Sequence, residues 1–170
     1  MLWLVPAVLT VALAGPADVD SLLSAPDRRV RSTDKRIIQL LEIGITRSAT
    51  FAQLVRSVNE TDVIVYIERS RELPRSLAGR LLMLPMAGAQ RYLRIQVRAD
   101  LPTWDLIALI GHELRHALEI AAEPSVKDEP TMLTLYQRIG HSSTGASHTF
   151  DTDAAQVAGR RVRMELARTL

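Results

Sequence analysis

At 170 residues with a hydrophobic fraction of 47%, the chain has the size and apolar content of one domain around one core. Its 21 Lys+Arg against 19 Asp+Glu leave a formal charge of +2, the basic side chains are scattered, and aromatic residues make up only 4%, which argues against the basic stripes and stacking rings of a nucleic-acid binder. The chain has no cysteine, and this excludes a thiol nucleophile, a thiolate-ligated zinc and disulfide stapling.

In chain order, Met1 to Ala14 is a nearly unbroken apolar stretch, too short to span a bilayer and followed by polar residues. Ala12-Leu13-Ala14 places small residues where signal peptidase reads, so residues 1–14 are predicted to be a signal peptide cut before Gly15. The expectation is an exported protein, periplasmic or extracellular, with no stable membrane span after cleavage. The stretch carries no Lys or Arg, and the competing reading is a buried N-terminal strand or helix. Residues 15–32 mix Pro, Asp, Ser and Arg without periodicity and read as a flexible lead-in, with the folded domain expected over 33–170.

Ile37, Ile38, Leu41 and Ile45 fall on one helical face, as do Phe51, Leu54, Val55 and Val58, so two helices are predicted. The β-branched run from Val63 to Ile67 has strand length. Leu77 to Met86 and Gln90 to Val97, separated by Ala87-Gly88-Ala89, predict a β-hairpin in which Arg91, Leu93, Ile95 and Val97 share one face. Thr103 is expected to cap a long apolar helix from about Trp104 to Ala121, and Pro130 to open another to about Arg138. A polar loop from His141 to Thr149 then leads into a last helix beginning near Phe150. Helices, then strands, then helices make an α+β fold.

The long helix contains Gly111-His112-Glu113-Leu114-Arg115-His116. Residues four apart on a helix lie one above the other, so His112 and His116 can hold one zinc ion between them. Glu113, offset by one position, is placed as the general base that takes a proton from water and passes it to a leaving amine. With four His in the chain, HExxH is expected by chance roughly once in 200 such chains, and its position inside a strongly apolar helix makes it more specific still. A catalytic zinc needs a third protein ligand. Glu119 shares the stripe but sits two turns along the same helix, so it is expected to orient an imidazole from behind, with direct ligation as the alternative. His148, and less so His141, are loop candidates for ligation or for stabilising an oxyanion.

The HExxH helix followed by Asp151-Thr152-Asp153-Ala154 resembles the gluzincin-type zinc metallopeptidases, in which an acidic residue on a later helix completes the site. The resemblance covers about the second half of the chain, which as a whole is also similar to small exported bacterial HExxH proteins. It implies a zincin-like fold, zinc as cofactor, peptides or proteins as substrate, Asp151 as third ligand and Asp153 as fallback. The match is partial, since Asp stands where the family has Glu and Ala155 where it often has Asp; Ala154, Ala155, Ala158 and Gly159 are small enough to let the helices approach and offset the shorter side chain. It also implies that the hairpin supplies the edge strand on which an extended peptide lies, assigned to Arg91 to Val97. The alternative function is a zincin-like protein that binds metal or a partner without turnover.

Overall fold

The computed structural model describes residues 22–23, 27–142 and 150–168. The fold is α+β: among the described residues, five helices accompany a four-stranded mixed sheet and a two-stranded ribbon. The order is β1 (Val30–Arg31), α1 (Lys35–Arg47), α2 (Ala49–Asn59), β2 (Val63–Ser70), β3 (Gly79–Ala87), β4 (Gln90–Arg98), α3 (Thr103–Ala121), α4 (Glu129–Ile139), β5 (His141–Ser142), β6 (Phe150–Asp151) and α5 (Asp153–Arg168). None of the described helices is long and apolar enough to cross a membrane. The predicted signal peptide lies outside the described residues.

The sheet runs β1-β2-β4-β3, with β1 and β4 parallel to β2 and β3 antiparallel to β4. Val63, Val65, Ile67, Leu93, Ile95 and Val97 point from β2 and β4 to the side covered by helices and are fully buried, as the period of two requires. The hairpin closes through Gly88-Ala89, where Gly88 takes φ 59°, a conformation for which a residue without Cβ is suited.

Three expectations are corrected. Arg91 to Val97 is not an edge: β4 lies between β2 and β3, and the edges among the described strands are β3 and the two-residue β1. Pro85, which cannot donate to a ladder, sits on β3. Regular structure also begins before Thr33. The Asn59 side chain accepts from the backbone N–H groups of Arg29 (2.8 Å) and Val30 (3.3 Å), and these bonds bring Val30–Arg31 alongside β2 as β1, with Leu22 and Leu23 packed into the core. Thr103, finally, is the first residue of α3 and not its cap, because Pro102 holds the cap position without a side-chain bond and the Thr103 hydroxyl accepts instead from Arg36, at 2.8 Å.

Helix crossings are set by small residues. Ser48 ends α1 and caps α2, its hydroxyl accepting from Phe51 N–H at 3.0 Å. A Cβ at Gly111 of α3 would lie 3.0 Å from Val162 of α5, and one at Gly159 of α5 would lie 3.2 Å from the His112 Cβ and 3.3 Å from the Ala108 carbonyl. With Ala155 and Ala158 also turned inward and buried, α5 lies closely along α3, and its N-terminus is delivered beside the two histidines.

Candidate metal centre

The middle of α3 is buried on nearly every side, so its polar residues must find partners inside the protein. His112 and His116 lie one turn apart and meet edge to face, with ring centroids 4.8 Å apart and planes at 80°. Their Nε2 atoms are separated by 3.1 Å, and Asp151 Oδ1 lies 3.4 Å from His112 Nε2 and 3.6 Å from His116 Nε2. A tetrahedral zinc with donor bonds of about 2.0–2.1 Å has donor–donor edges of about 3.3–3.4 Å. The three atoms form a triangle of that size, and the nitrogen–nitrogen–oxygen set suits zinc.

Asp151 is not on the last helix, as the sequence pattern suggested, but in β6, immediately before it. The reason is the cap: Thr152 accepts from Ala155 N–H at 3.1 Å and starts α5 at Asp153, so Asp151 stays extended and pairs with His141 across the ribbon. Its two carboxylate oxygens have different surroundings. Oδ1 faces the imidazoles and accepts from the Thr152 backbone at 2.7 Å, whereas Oδ2 accepts from the Gln156 side chain at 3.0 Å. Burial pushes the Asp151 carboxyl upward, but hydrogen bonds to His116 and Gln156 and the nearby His112 outweigh it and hold the group well below the usual carboxylate range.

Glu119 lies behind His116, on the side away from the donor triangle: its Oε2 is 2.9 Å from His116 Nδ1, and its Oε1 accepts from the Thr152 hydroxyl at 2.8 Å. Burial works against an imidazolium at His116, yet the hydrogen bonds to Asp151 and Glu119 raise its pKa to about 9. His112 is shifted the other way, lowered by burial and by the adjacent His116. A group that binds the two Nε2 atoms therefore competes with protonation of His116.

Glu113 is buried, and burial raises its carboxyl to about 7, with His116 opposing and Asp151 adding to the rise. Its Oε1 lies 3.1 Å from where a Cβ on Gly79 would stand, so the carboxylate tucks against the start of β3 where no side chain blocks it. Together with His112, His116 and Asp151 it lines a cleft of about 550 Å³. One wall is Leu77, Gly79 and Leu81 at the β3 edge of the sheet, and the facing wall is Met132, Leu133 and Tyr136 of α4 with Phe150. The Tyr136 hydroxyl donates to the His116 carbonyl at 3.2 Å, its ring stands edge-on to the His116 ring at 5.3 Å, and burial raises its pKa.

Other candidates fall elsewhere. Asp153 is exposed in the first turn of α5 and is not in the donor cluster, an ordinary place for an acid beside a helix N-terminus. His141 is exposed on β5, with its Nε2 3.3 Å from the Gln156 amide nitrogen. His148 lies outside the described residues. Sequence reasoning missed Gln156, Thr152, Tyr136 and Gly79. Only Thr152 carried a local signal, that of a helix cap, and nothing local revealed its second bond. Compared with known proteins, the chain matches no family model, none of the curated proteins and none of the solved structures.

Proposed function

We propose that this α+β domain is a zincin-like zinc metallopeptidase that hydrolyses peptide bonds, exported by cleavage of residues 1–14. The observation that carries the reading is the triangle of His112 Nε2, His116 Nε2 and Asp151 Oδ1 at the floor of a cleft that also holds a buried carboxylate. In this reading His112, His116 and Asp151 hold zinc, which supplies a Lewis acid for the scissile carbonyl and for water. Glu113 is the proton carrier. Its carboxylate, buried in the cleft that the two imidazoles and Asp151 also line, is placed to accept a proton from water and return it to the leaving amine. Tyr136 fixes the backbone of His116, and Gln156 keeps one Asp151 oxygen engaged so that the other alone faces the imidazoles.

The substrate class follows from the walls. The free edge of β3 offers backbone groups to an extended peptide, and Leu77, Leu81, Met132, Leu133 and Phe150 favour an apolar side chain beside the scissile bond. The test is metal analysis of purified protein combined with cleavage of a peptide library by the wild type and by Glu113→Gln. The expected result is one zinc per chain in both proteins, cleavage next to apolar residues by the wild type, and a loss of at least a hundredfold in rate for the variant. Zinc in both without cleavage by either would favour a metal-binding role without turnover, and absence of zinc would reject the reading.

A further inference from the structure

Thr152 is placed where the last helix meets the back of the metal-facing histidine, and only 3% of it is exposed. Its hydroxyl oxygen accepts from Ala155 N–H at 3.1 Å, so its single proton is left for Glu119 Oε1, 2.8 Å away. Glu119 in turn offers Oε2 to His116 Nδ1 at 2.9 Å. An imidazole whose Nδ1 carries the proton presents the lone pair of Nε2, and Nε2 is the atom that faces His112 and Asp151. Glu119 has a competing partner as well: Arg115 Nε lies 3.7 Å from Oε1 and is buried without a hydrogen bond among the described residues. Without the Thr152 hydroxyl, the carboxylate is free to turn toward that guanidinium and away from His116.

We infer that Thr152 is a positioning residue of the metal centre: through Glu119 it fixes the tautomer and orientation of His116, while its neighbour Asp151 supplies the third donor. Docking of α5 thus delivers one ligand and locks another in the same step. The inference rests on the reading of the cleft as a zinc site, and its test separates the two.

Zinc affinity is measured by competition with a chromophoric chelator for the wild type, Thr152→Ser, Thr152→Val, Glu119→Ala and the double variant Thr152→Val/Glu119→Ala. Outer partners of this kind are worth about 10–100-fold in metal affinity, so Thr152→Val is expected to bind zinc about tenfold or more weakly, and Thr152→Ser, which keeps the hydroxyl, within about threefold of wild type. Because the hydroxyl acts through Glu119, the double variant should bind within about threefold of Glu119→Ala alone. Nitrogen chemical shifts of the His116 ring in the zinc-free protein, recorded above its pKa of about 9 where the ring is neutral, should show Nδ1 protonated in the wild type and a tautomer mixture in Thr152→Val. Melting of each zinc-free variant checks folding, and Thr152→Ala replaces Thr152→Val if the latter does not fold. Equal affinities of wild type and Thr152→Val, or losses that multiply in the double variant as a mere helix cap would give, overturn the inference and leave the zinc reading standing. A wild type that does not bind zinc overturns both.

Discussion

Arg91 offers a test of how the HExxH helix is held, independent of any metal. Its side chain is 3% exposed, and the guanidinium donates to the carbonyls of Ile120, Ala121, Glu123 and Val126 at 2.9–3.1 Å and to both oxygens of Asp62 at 2.7 and 2.9 Å. A cation is thereby set on the carbonyl end of α3, where the helix dipole favours it. Arg91→Met keeps the length and apolar stem but removes every donor. Ala121 and Glu123 lie in partly open surroundings and can turn to water, while the bonds to Ile120 and Val126 are buried. The Ile120 carbonyl keeps a bond from Glu123 N–H at 3.1 Å, whereas the Val126 carbonyl has no other donor among the described residues; an unpaired buried acceptor costs about 1–3 kcal/mol and the lost bond to Ile120 about 0.5–1.5 kcal/mol, and with part recovered through apolar burial of the methionine the net loss is roughly 2 kcal/mol. In a domain of this size 1 kcal/mol moves Tm by about 2–4 °C, so Arg91→Met is expected to melt roughly 4–8 °C below wild type. Circular dichroism melts with urea titrations measure the difference, and an unchanged urea slope shows that the denatured state is not responsible. A fall of less than about 2 °C would refute the argument that these carbonyls depend on Arg91.

The same pair has a pH signature. Hydrogen bonds from Arg91 hold the Asp62 carboxyl below its ordinary 3.8 against the effect of burial, so its contribution is complete above about pH 4 and is lost as pH falls through the lowered value; the gap in Tm between wild type and Arg91→Met should narrow below pH 4, and a widening gap would contradict the assignment. Asp151→Ala removes a donor, whereas Glu119→Gln alters a group behind one: zinc affinity should fall by about 10²–10³-fold in the first, taking a quarter of the roughly 10–16 kcal/mol of a four-ligand site, and by about 10–100-fold in the second, and the reverse order by chelator competition would assign the third ligand wrongly. Gly159→Ala sets a methyl 3.2 Å from the His112 Cβ and 3.3 Å from a backbone carbonyl. Zinc affinity should drop together with Tm, and unchanged values for both would show that the crossing of α3 and α5 has slack that the close approach denies.

The helices and the hairpin were legible because their apolar periods are local: Ile37, Leu41 and Ile45 mark one face of α1, and Leu93, Ile95 and Val97 one face of β4. Sheet order was not legible, since the parallel pairing of β2 with β4 is decided by which faces share the core and leaves no period of its own. Two residues are too few to show periodicity, so β1 was hidden in an irregular segment and is held by a side chain from Asn59. Arg91 fits the inward parity of its strand, but the reason it can be buried lies at the far end of another helix. At the site, HExxH and the small residues of α5 were readable. The position of Asp151 one step outside the helix was not, because it depends on Thr152 taking the cap, and neither was the edge of the sheet, although Pro85 was the available sign.

The donor triangle joins residues made at different times. His116 and Asp151 are 35 residues apart in the chain (151 − 116). At about 5–20 residues per second of synthesis, the two imidazoles exist for roughly 2–7 s before the carboxylate is even polymerised, and longer before α5 can dock. During that interval the growing chain has the histidine pair without its third partner. Only the finished chain closes the triangle, so in the metal-centre reading loading is a late event in biogenesis, and a fragment that stops short of β6 keeps HExxH without the capacity to retain its ion.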